Sequence, residues 1–452
     1  MEHRLCLLAT LTLILSIHFT IPLVAQTSYD LTGSLQTDNR VRYDDGSLTW
    51  NENRLNLELS GGNMVDYGFY SEVRLRAFGL PEVSELADLQ RRDKEEVIPW
   101  GLEFREGYLD LYAIGMPSLD VRIGRQIINW GTGDGFNPTG NVSPDDLEDF
   151  LFFGSHLGVN ALKATYYAPA FRMTGVFVPA FTPATLPPGE FSDAFFTSGI
   201  DTGGGSNFQL QTDLRLPENT IGSSSQYAFK VATLVFNFDV SLSYYNGRYD
   251  LPVISEVVFS DPNTVNAALR YPRMQVIGGD FAGAIGEAGI WGEAAYYLPE
   301  AVTGQITVPS LVSPDQTVTM DSTMLSDSPY TQYLLGADYT FQNRWYVNLQ
   351  YLHGFLHERG FGNLNDYLVF RSERDFFNGK LTISPLSFAV VITDWSDPFE
   401  NYGVVGIPEL TWHPYDNVEI LLGSFLFEGS GENLFQSIER LDELYFRVTV
   451  SF

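Results

Sequence analysis

In Arg54-Leu55-Asn56-Leu57-Glu58-Leu59-Ser60 every second residue is leucine. In Leu444-Tyr445-Phe446-Arg447-Val448-Thr449-Val450-Ser451-Phe452 the apolar set is Leu444, Phe446, Val448, Val450 and Phe452. A helix would scatter these side chains around its circumference; a strand, whose side chains alternate between faces, gathers them on one. Strand-like runs recur at 29–38, 51–60, 67–78, 102–114, 118–129, 157–167, 171–180, 226–236 and 238–248. They continue at 271–284, 289–298, 331–341, 345–355, 376–384, 386–394, 402–412, 418–427 and 443–452. Short links such as Gly115-Met116-Pro117, Ala168-Pro169-Ala170, Gln342-Asn343-Arg344 and His413-Pro414-Tyr415-Asp416-Asn417 alternate with long polar ones. The long links lie near 79–101, 130–156, 181–225, 249–270, 299–330, 356–375 and 428–442. A soluble sandwich or propeller has no reason to keep that rhythm. It predicts an all-β fold: a transmembrane antiparallel up-and-down barrel of about 18 strands, with 16 as the next choice, in which every long link falls at one end.

Composition sharpens this picture. Aromatics make up 14% of the chain, with 24 Tyr and 33 Phe, which suits strands facing lipid on one side and water on the other. Pairs such as Tyr166 and Tyr167, Tyr244 and Tyr245, Tyr296 and Tyr297, and Trp345 and Tyr346 stand near strand ends and read as interfacial girdles. After residue 25 no window approaches the roughly 20 apolar residues of a spanning helix. At the N-terminus His3 and Arg4 precede an apolar run over 5–24, and Ala25 offers a small residue for cleavage. Residues 1–25 therefore read as a cleaved signal peptide, and 26–452 as a single outer-membrane barrel domain. Cys6, the only cysteine, leaves with that segment, so no disulfide or thiolate metal site is expected. The net charge of −30 has the wrong sign for nucleic acid. Spread over external loops, the carboxylates could bridge through divalent ions to lipopolysaccharide.

The alternating last strand ending in Phe452 resembles the terminal signature by which the barrel-assembly machinery recognises outer-membrane proteins. The segment Arg122-Ile123-Gly124-Arg125-Gln126-Ile127-Ile128-Asn129-Trp130-Gly131-Thr132-Gly133-Asp134-Gly135-Phe136-Asn137-Pro138-Thr139 ends one strand and opens the third external loop. Its Gly-Arg-Gln strand, followed by Trp-Gly and Asn-Pro, resembles a family of Gram-negative porin-like outer-membrane proteins, distantly akin to the phosphate-selective and alginate-export porins. The resemblance is close over these residues and elsewhere only architectural. It implies a channel without assigning a solute, and leaves open whether three copies form a homotrimer.

Further along the same loop, Ser143 suits a helix N-cap, Pro144 the first helical position, and Asp145 and Asp146 the positive end of the dipole. Leu147, Phe150 and Leu151 share a face and Gly154 can end the turn, so a short amphipathic helix is expected here. In porins the third loop folds into the lumen, and similarity of position implies the same; the alternative is an external helix on the rim. Asp134, Asp145, Asp146, Glu148 and Asp149 have the hard oxygens that suit Ca²⁺, but not the spacing of an EF-hand. Helix capping accounts for Asp145 and Asp146 without an ion, so no metal is expected. The run of Gly131, Gly133 and Gly135 lacks the spacing of a dinucleotide loop, so no cofactor is implied.

Selectivity is sought in basic residues on polar strand faces. If Leu55, Leu57 and Leu59 face lipid, Arg54 faces the lumen; by the same logic Arg74, Arg76, Arg122, Lys163, Lys230 and Arg447 point inward. Arg54, Arg74, Arg76, Arg122 and Lys163 would then oppose the carboxylates of the third loop across a constriction. Such a transverse field favours small polar or zwitterionic solutes passing by diffusion. The blander alternative is that these charges fill a wet lumen and cancel in pairs. No enzyme is expected: His156, His353, His357 and His413 come without a Gly-x-Ser-x-Gly elbow or a metalloprotease zinc pair. The rival functions are a transporter of hydrophobic compounds, a surface-exposed structural or adhesin barrel, and an outer-membrane lipase. The first would need an apolar plug or hatch, yet the strand pattern begins almost at the cleavage site.

Overall fold

The computed structural model describes residues 28–63, 65–189, 191, 209–261, 264–309 and 317–452. The signal peptide expected over 1–25 lies outside the described residues. In chain order the strands begin with β1 (Ser28–Arg42), β2 (Leu48–Gly62), β3 (Tyr67–Phe78), β4 (Trp100–Leu111), β5 (Leu119–Gln126), β6 (Val159–Tyr167), β7 (Arg172–Val178) and β8 (Gln209–Arg215). The middle third holds β9 (Gln226–Val235), β10 (Phe238–Arg248), β11 (Val253–Asp261), β12 (Thr264–Arg270), β13 (Arg273–Ile285), β14 (Ala288–Pro299), β15 (Val302–Pro309) and β16 (Thr317–Leu325). The last are β17 (Tyr330–Thr340), β18 (Trp345–His353), β19 (Asp366–Phe376), β20 (Leu381–Ile392), β21 (Tyr402–Gly406), β22 (Glu409–Tyr415), β23 (Val418–Ser430) and β24 (Glu443–Ser451).

Nineteen of these segments form one sheet that closes on itself where β1 pairs with β24, from Ser34 opposite Ser451 to Arg42 opposite Glu443. Phe452 completes the seam through two main-chain hydrogen bonds of 2.9 Å with Gly33. Both β21 and β22 lie between β20 and β23, so they are one stave interrupted at Ile407 and Pro408. The nineteen segments thus make 18 staves, and each pairs antiparallel with its neighbours: the expected closed up-and-down barrel.

The alternation seen in the sequence sets the two faces. Across β2 and β3, Leu55 pairs with Leu75 and Leu57 with Val73, and Leu57, Leu59 and Leu75 are exposed on the outside. Arg54 opposite Arg76, Asn56 opposite Arg74 and Glu58 opposite Glu72 form the inner face. The outer apolar belt continues through Leu102, Ile123, Leu242, Ile277 and Leu349. No water-soluble globule leaves such a belt uncovered. Tyr166 and Tyr167 are both exposed, but alternation corrects two of the other aromatic pairs, whose neighbours face opposite ways. Tyr296 is exposed while Tyr297 is buried inside, and Tyr245 likewise turns inward.

The strand count is as expected, but one stave is not where the sequence pattern put it. β19 occupies the second half of the expected loop 356–375, and the two strands expected at 376–384 and 386–394 are one strand, β20. Arg371, Glu373, Arg374 and Asp375 made β19 look like loop, although they flank an alternation of Leu368 and Phe370 with Tyr367 and Val369. The real turn is at Phe377 and Asn378, both left-handed at φ 53° and 59°, followed by Gly379. Pro385 is tolerated because the neighbouring stave breaks beside it: Ser384 pairs with Glu409 of β22 and Phe388 with Gly406 of β21.

Three long links also contain strands that the pattern left as loop. β8, β11, β12, β15 and β16 form a separate five-stranded sheet in the order β16-β15-β11-β12-β8. Two of its pairings, β11 with β15 and β12 with β8, are parallel. The reason is geometric: β11 and β15 both leave the barrel, whereas β8 and β12 both return to it.

Candidate functional site

The link between β5 and β6, residues 127–158, is the third long-link loop. Its first part is anchored at Gln126, a fully buried side chain whose amide donates to Ala161 O at 3.0 Å. From there it reaches inward-facing side chains on staves all around the barrel, so it lies across the lumen. The Thr139 hydroxyl donates to Glu293 of β14 at 2.6 Å, and the main-chain N–H groups of Thr132 and Gly133 donate to the same carboxylate. Asp134 accepts from Asn348 and Gln350 of β18 at 2.9 and 3.1 Å.

On its way back the loop meets the charged wall of β1–β4 and β24. Asp149 takes a two-pronged pair from Arg40 at 2.7 and 2.5 Å. Glu148 accepts from Arg76 at 2.5 Å, and Asp146 lies 3.5 Å from Arg105. Bidentate and charge-assisted geometry of this kind fixes position as well as charge. Asp145 leaves the wall, where it lies 3.2 Å from His156 while its main-chain N–H donates to Asp250 at 2.9 Å. The five carboxylates named from the sequence therefore diverge to different partners and do not converge on one point.

The expected helix over 143–154 is not formed. A single 3₁₀ turn, Phe150–Phe152, is all that remains. The Ser143 hydroxyl accepts from Ile128 N at 2.8 Å instead of capping. Asp145 and Asp146 form isolated bridges to His156 and Thr185, in extended backbone. Successive carboxylates that bind separate arginines on separate staves are served by an extended segment, whereas a helix would wind them round its axis.

The basic residues singled out from the sequence lie in two places. Toward the long links, Arg54 makes two 3.0 Å bonds to Glu52, which also accepts from Arg76 at 2.7 Å. Arg76 reaches Glu103 as well, at 2.8 Å, while Arg74 donates to Asn56 at 2.9 Å. Toward the short turns, Arg122 holds Asp110 at 2.7 and 2.9 Å and stacks 3.7 Å over the Tyr108 ring, with Lys163 opposite it in register. Lys230 pairs with Asp280 at 2.9 Å, and Arg447 with Asp38 at 2.5 Å. The imagined gap between a cationic wall and an acidic loop is closed by contact. Arg54, Arg74, Arg76, Arg122, Lys230 and Arg447 each lie against a carboxylate, whereas Lys163 faces Arg122, and no transverse field spans Arg76 and Glu148. Sequence reasoning missed the partners Asp38, Arg40, Glu52, Glu103, Arg105 and Glu293. Asp38 and Arg40, two apart in β1, were open to the same alternation argument that found Arg54.

The loop's other side is apolar. Phe152 packs edge-on to Phe425 and Tyr445, with ring centroids 5.3 and 5.1 Å away. Phe136 and Phe153 meet Phe355, which belongs to the link 354–365, at 5.2 and 5.5 Å. Beneath them Leu352, Tyr367, Val391, Val405, Phe425 and Phe427 form a buried inner wall on β18–β23. The link 354–365 is itself pinned by Glu358, which accepts from Asn365 and Tyr367 at 2.7 and 2.5 Å; burial still pushes its carboxyl above the usual range. Burial, aided by Arg359, holds the neighbouring His357 down at about 4.

A search among curated proteins finds no match. Among solved structures the chain is similar to in-vitro folded OmpT of Vibrio cholerae, with a TM-score of 0.43 and 9% identity over 96% of this chain and 100% of that one. It is similar to the loop L8 deletion mutant of the same protein at 0.41 and 9%, over 94% and 99%. Salmonella typhi OmpF, in a complex with daunomycin, is similar at 0.41 and 10%, over 94% and 97%. A family model matches residues 23–319, more than half of the chain, which therefore belongs to the family described as Protein of unknown function (DUF1302).

Proposed function

We propose that this chain is an outer-membrane channel for passive diffusion of small hydrophilic solutes, narrowed by its inward third loop. The observation that carries the reading is the anchoring of that loop by Arg40–Asp149, Arg76–Glu148 and Arg105–Asp146 inside a closed sheet of 18 staves. A sheet of that size is wide enough for an aqueous passage. The short-turn half of the inner wall carries Glu72, Tyr108, Asp110, Arg122, Lys163 and Asp280, a lining that favours water. Entry of solute is then set by the loop, and the arginine pairs act as its fastening. The resemblance to phosphate-selective and alginate-export porins supports the same reading.

Several further assignments belong to this proposal. The N-terminal segment directs export, and Phe452 presents the last stave to the assembly machinery. Outer-membrane lipid and lipopolysaccharide surround the belt, and no catalytic role is assigned. The deciding measurement is planar-bilayer conductance of the folded barrel, with reversal potentials in a salt gradient. Discrete current steps are expected; a folded, inserted barrel without current would remove the channel reading.

A further inference from the structure

Where the third loop meets the inner face of β18–β23, the side chains leave a cavity of about 170 Å³. Phe136, Phe150 and Phe153 line it from the loop, and Val369, Ala389 and Val405 from the wall. The lining is mainly apolar, and an apolar space on the order of 150 Å³ accepts a benzene ring.

Most polar side chains that also line it already have partners: Asp134 and Gln350 hold each other, Arg371 is paired with Glu373 and Glu409, and the Tyr367 hydroxyl donates to Glu358. Ser387 also lines the cavity; it is only 7% exposed, and its hydroxyl has no hydrogen-bond partner among the described residues. Its direction is built into the wall. Ser384 and Ser387 are both buried, while Pro385 and Leu386 between them are exposed, so β20 carries an irregularity that turns Ser387 inward. The neighbours break at the same height: β19 shifts register between Ser372 and Arg374, and the next stave is interrupted at Ile407 and Pro408. The Ser387 carbonyl is used by Ile407 N at 2.7 Å, which leaves the hydroxyl as the group with unmet capacity. A buried hydroxyl without a partner is unfavourable, and a ligand bearing one donor or acceptor would relieve it.

We propose that this cavity is a binding site for small one-ring aromatic molecules carrying a single hydroxyl. The ring lies among the loop and wall side chains, where edge and face contacts with phenylalanine favour an aromatic over an aliphatic guest. The hydroxyl meets Ser387 Oγ. The site goes beyond the channel reading and does not depend on it.

The test uses the folded mature chain in lipid nanodiscs, with 4-fluorophenol as the probe and its ¹⁹F line as the readout, against nanodiscs without protein. Saturable broadening is expected with the protein. Ala389→Phe, which fills the cavity from the wall, abolishes it, and Phe153→Trp, which fills it from the loop without touching a stave, weakens it. Ser387→Ala weakens 4-fluorophenol by about tenfold at most, the value of one hydrogen bond, and leaves fluorobenzene binding unchanged. No saturable binding above the protein-free discs overturns the proposal. So does wild-type binding in either filling variant, or equal loss of both probes in Ser387→Ala. A silent pore that still binds the probe would remove the channel reading alone.

Discussion

The inner wall of this barrel has two unlike halves, and the third loop is made to fit both. On β1–β4 and β24 it meets Arg40, Arg76, Arg105 and Arg447, each already engaged with wall carboxylates such as Asp38, Glu52, Glu72 and Glu103. On β18–β23 it meets carbon, from Leu352 to Phe427. The charged half supplies direction: each pair has one geometry and weakens in salt. The apolar half supplies burial, which has no preferred angle and is indifferent to salt. One side of the loop is therefore fastened and the other side is packed. Substitutions on the two sides should separate those contributions.

The largest effect is expected from Arg76→Ala. It leaves Glu148 without its cation and Glu52, a buried carboxylate, with Arg54 alone, so the cost is about 3 kcal/mol, the low end for removing one partner of a buried pair. Urea unfolding should report that loss, and single-channel steps should grow as the loop comes away from the wall. Unchanged steps in a destabilised barrel would mean that the loop is held from the apolar side alone. Phe153→Ala is expected to come next, at about 2 kcal/mol, because the ring is exposed along one edge although it packs on Phe355. Its steps should also grow, but with the salt sensitivity of the fastened side kept. A Phe153→Ala barrel whose conductance simply tracks bulk conductivity would erase the distinction between the halves.

Salt itself is the milder probe. Between 0.1 and 1 M the screening length falls from about 10 to about 3 Å, so conductance of the unaltered barrel should rise faster than that of the bulk solution. Strict proportionality would show that the ion pairs are too shielded to matter. The smallest effect concerns pH on the apolar side. The folded-state value of His357, about 4, lies below its ordinary value of 6.5, so its proton prefers the unfolded link. The stability it contributes is complete above about pH 6.5 and is lost as pH falls through 4. Protection of the link 354–365 against hydrogen exchange, taken relative to the intrinsic rate at each pH, should fall over that window in the native chain and stay level in His357→Gln. The same fall in the variant would exclude this histidine as its source.

Much of the barrel was legible because each stave repeats one instruction: an apolar residue outside, a polar one inside. Leu55, Leu57 and Leu59 say so locally, and no knowledge of neighbours is needed. β19 was not legible because its inner positions carry Arg371 and Glu373, which look like loop until Glu409 on the next stave but one is known to receive Arg371 at 2.7 Å. The same limit governs the site. That Arg54, Arg74 and Arg76 face inward follows from alternation; that Arg76 holds Glu148 depends on how residues 127–158 cross the lumen. The expected helix failed for the same reason: capping and dipole arguments weigh a segment by itself, and here separate arginines on the wall decide its shape. The five-stranded sheet was out of reach because its parallel pairings join links far apart in the chain.

That sheet has a consequence for the long links at this end of the barrel. β8, β11 and β15 come from three different links, yet β12 pairs with β8 and β11 pairs with β15, so each link is stitched to another. No one of the three can lift off while the others stay put without unzipping a ladder. The three links are consequently held together as a single body, and a cut in any of them is felt by all three.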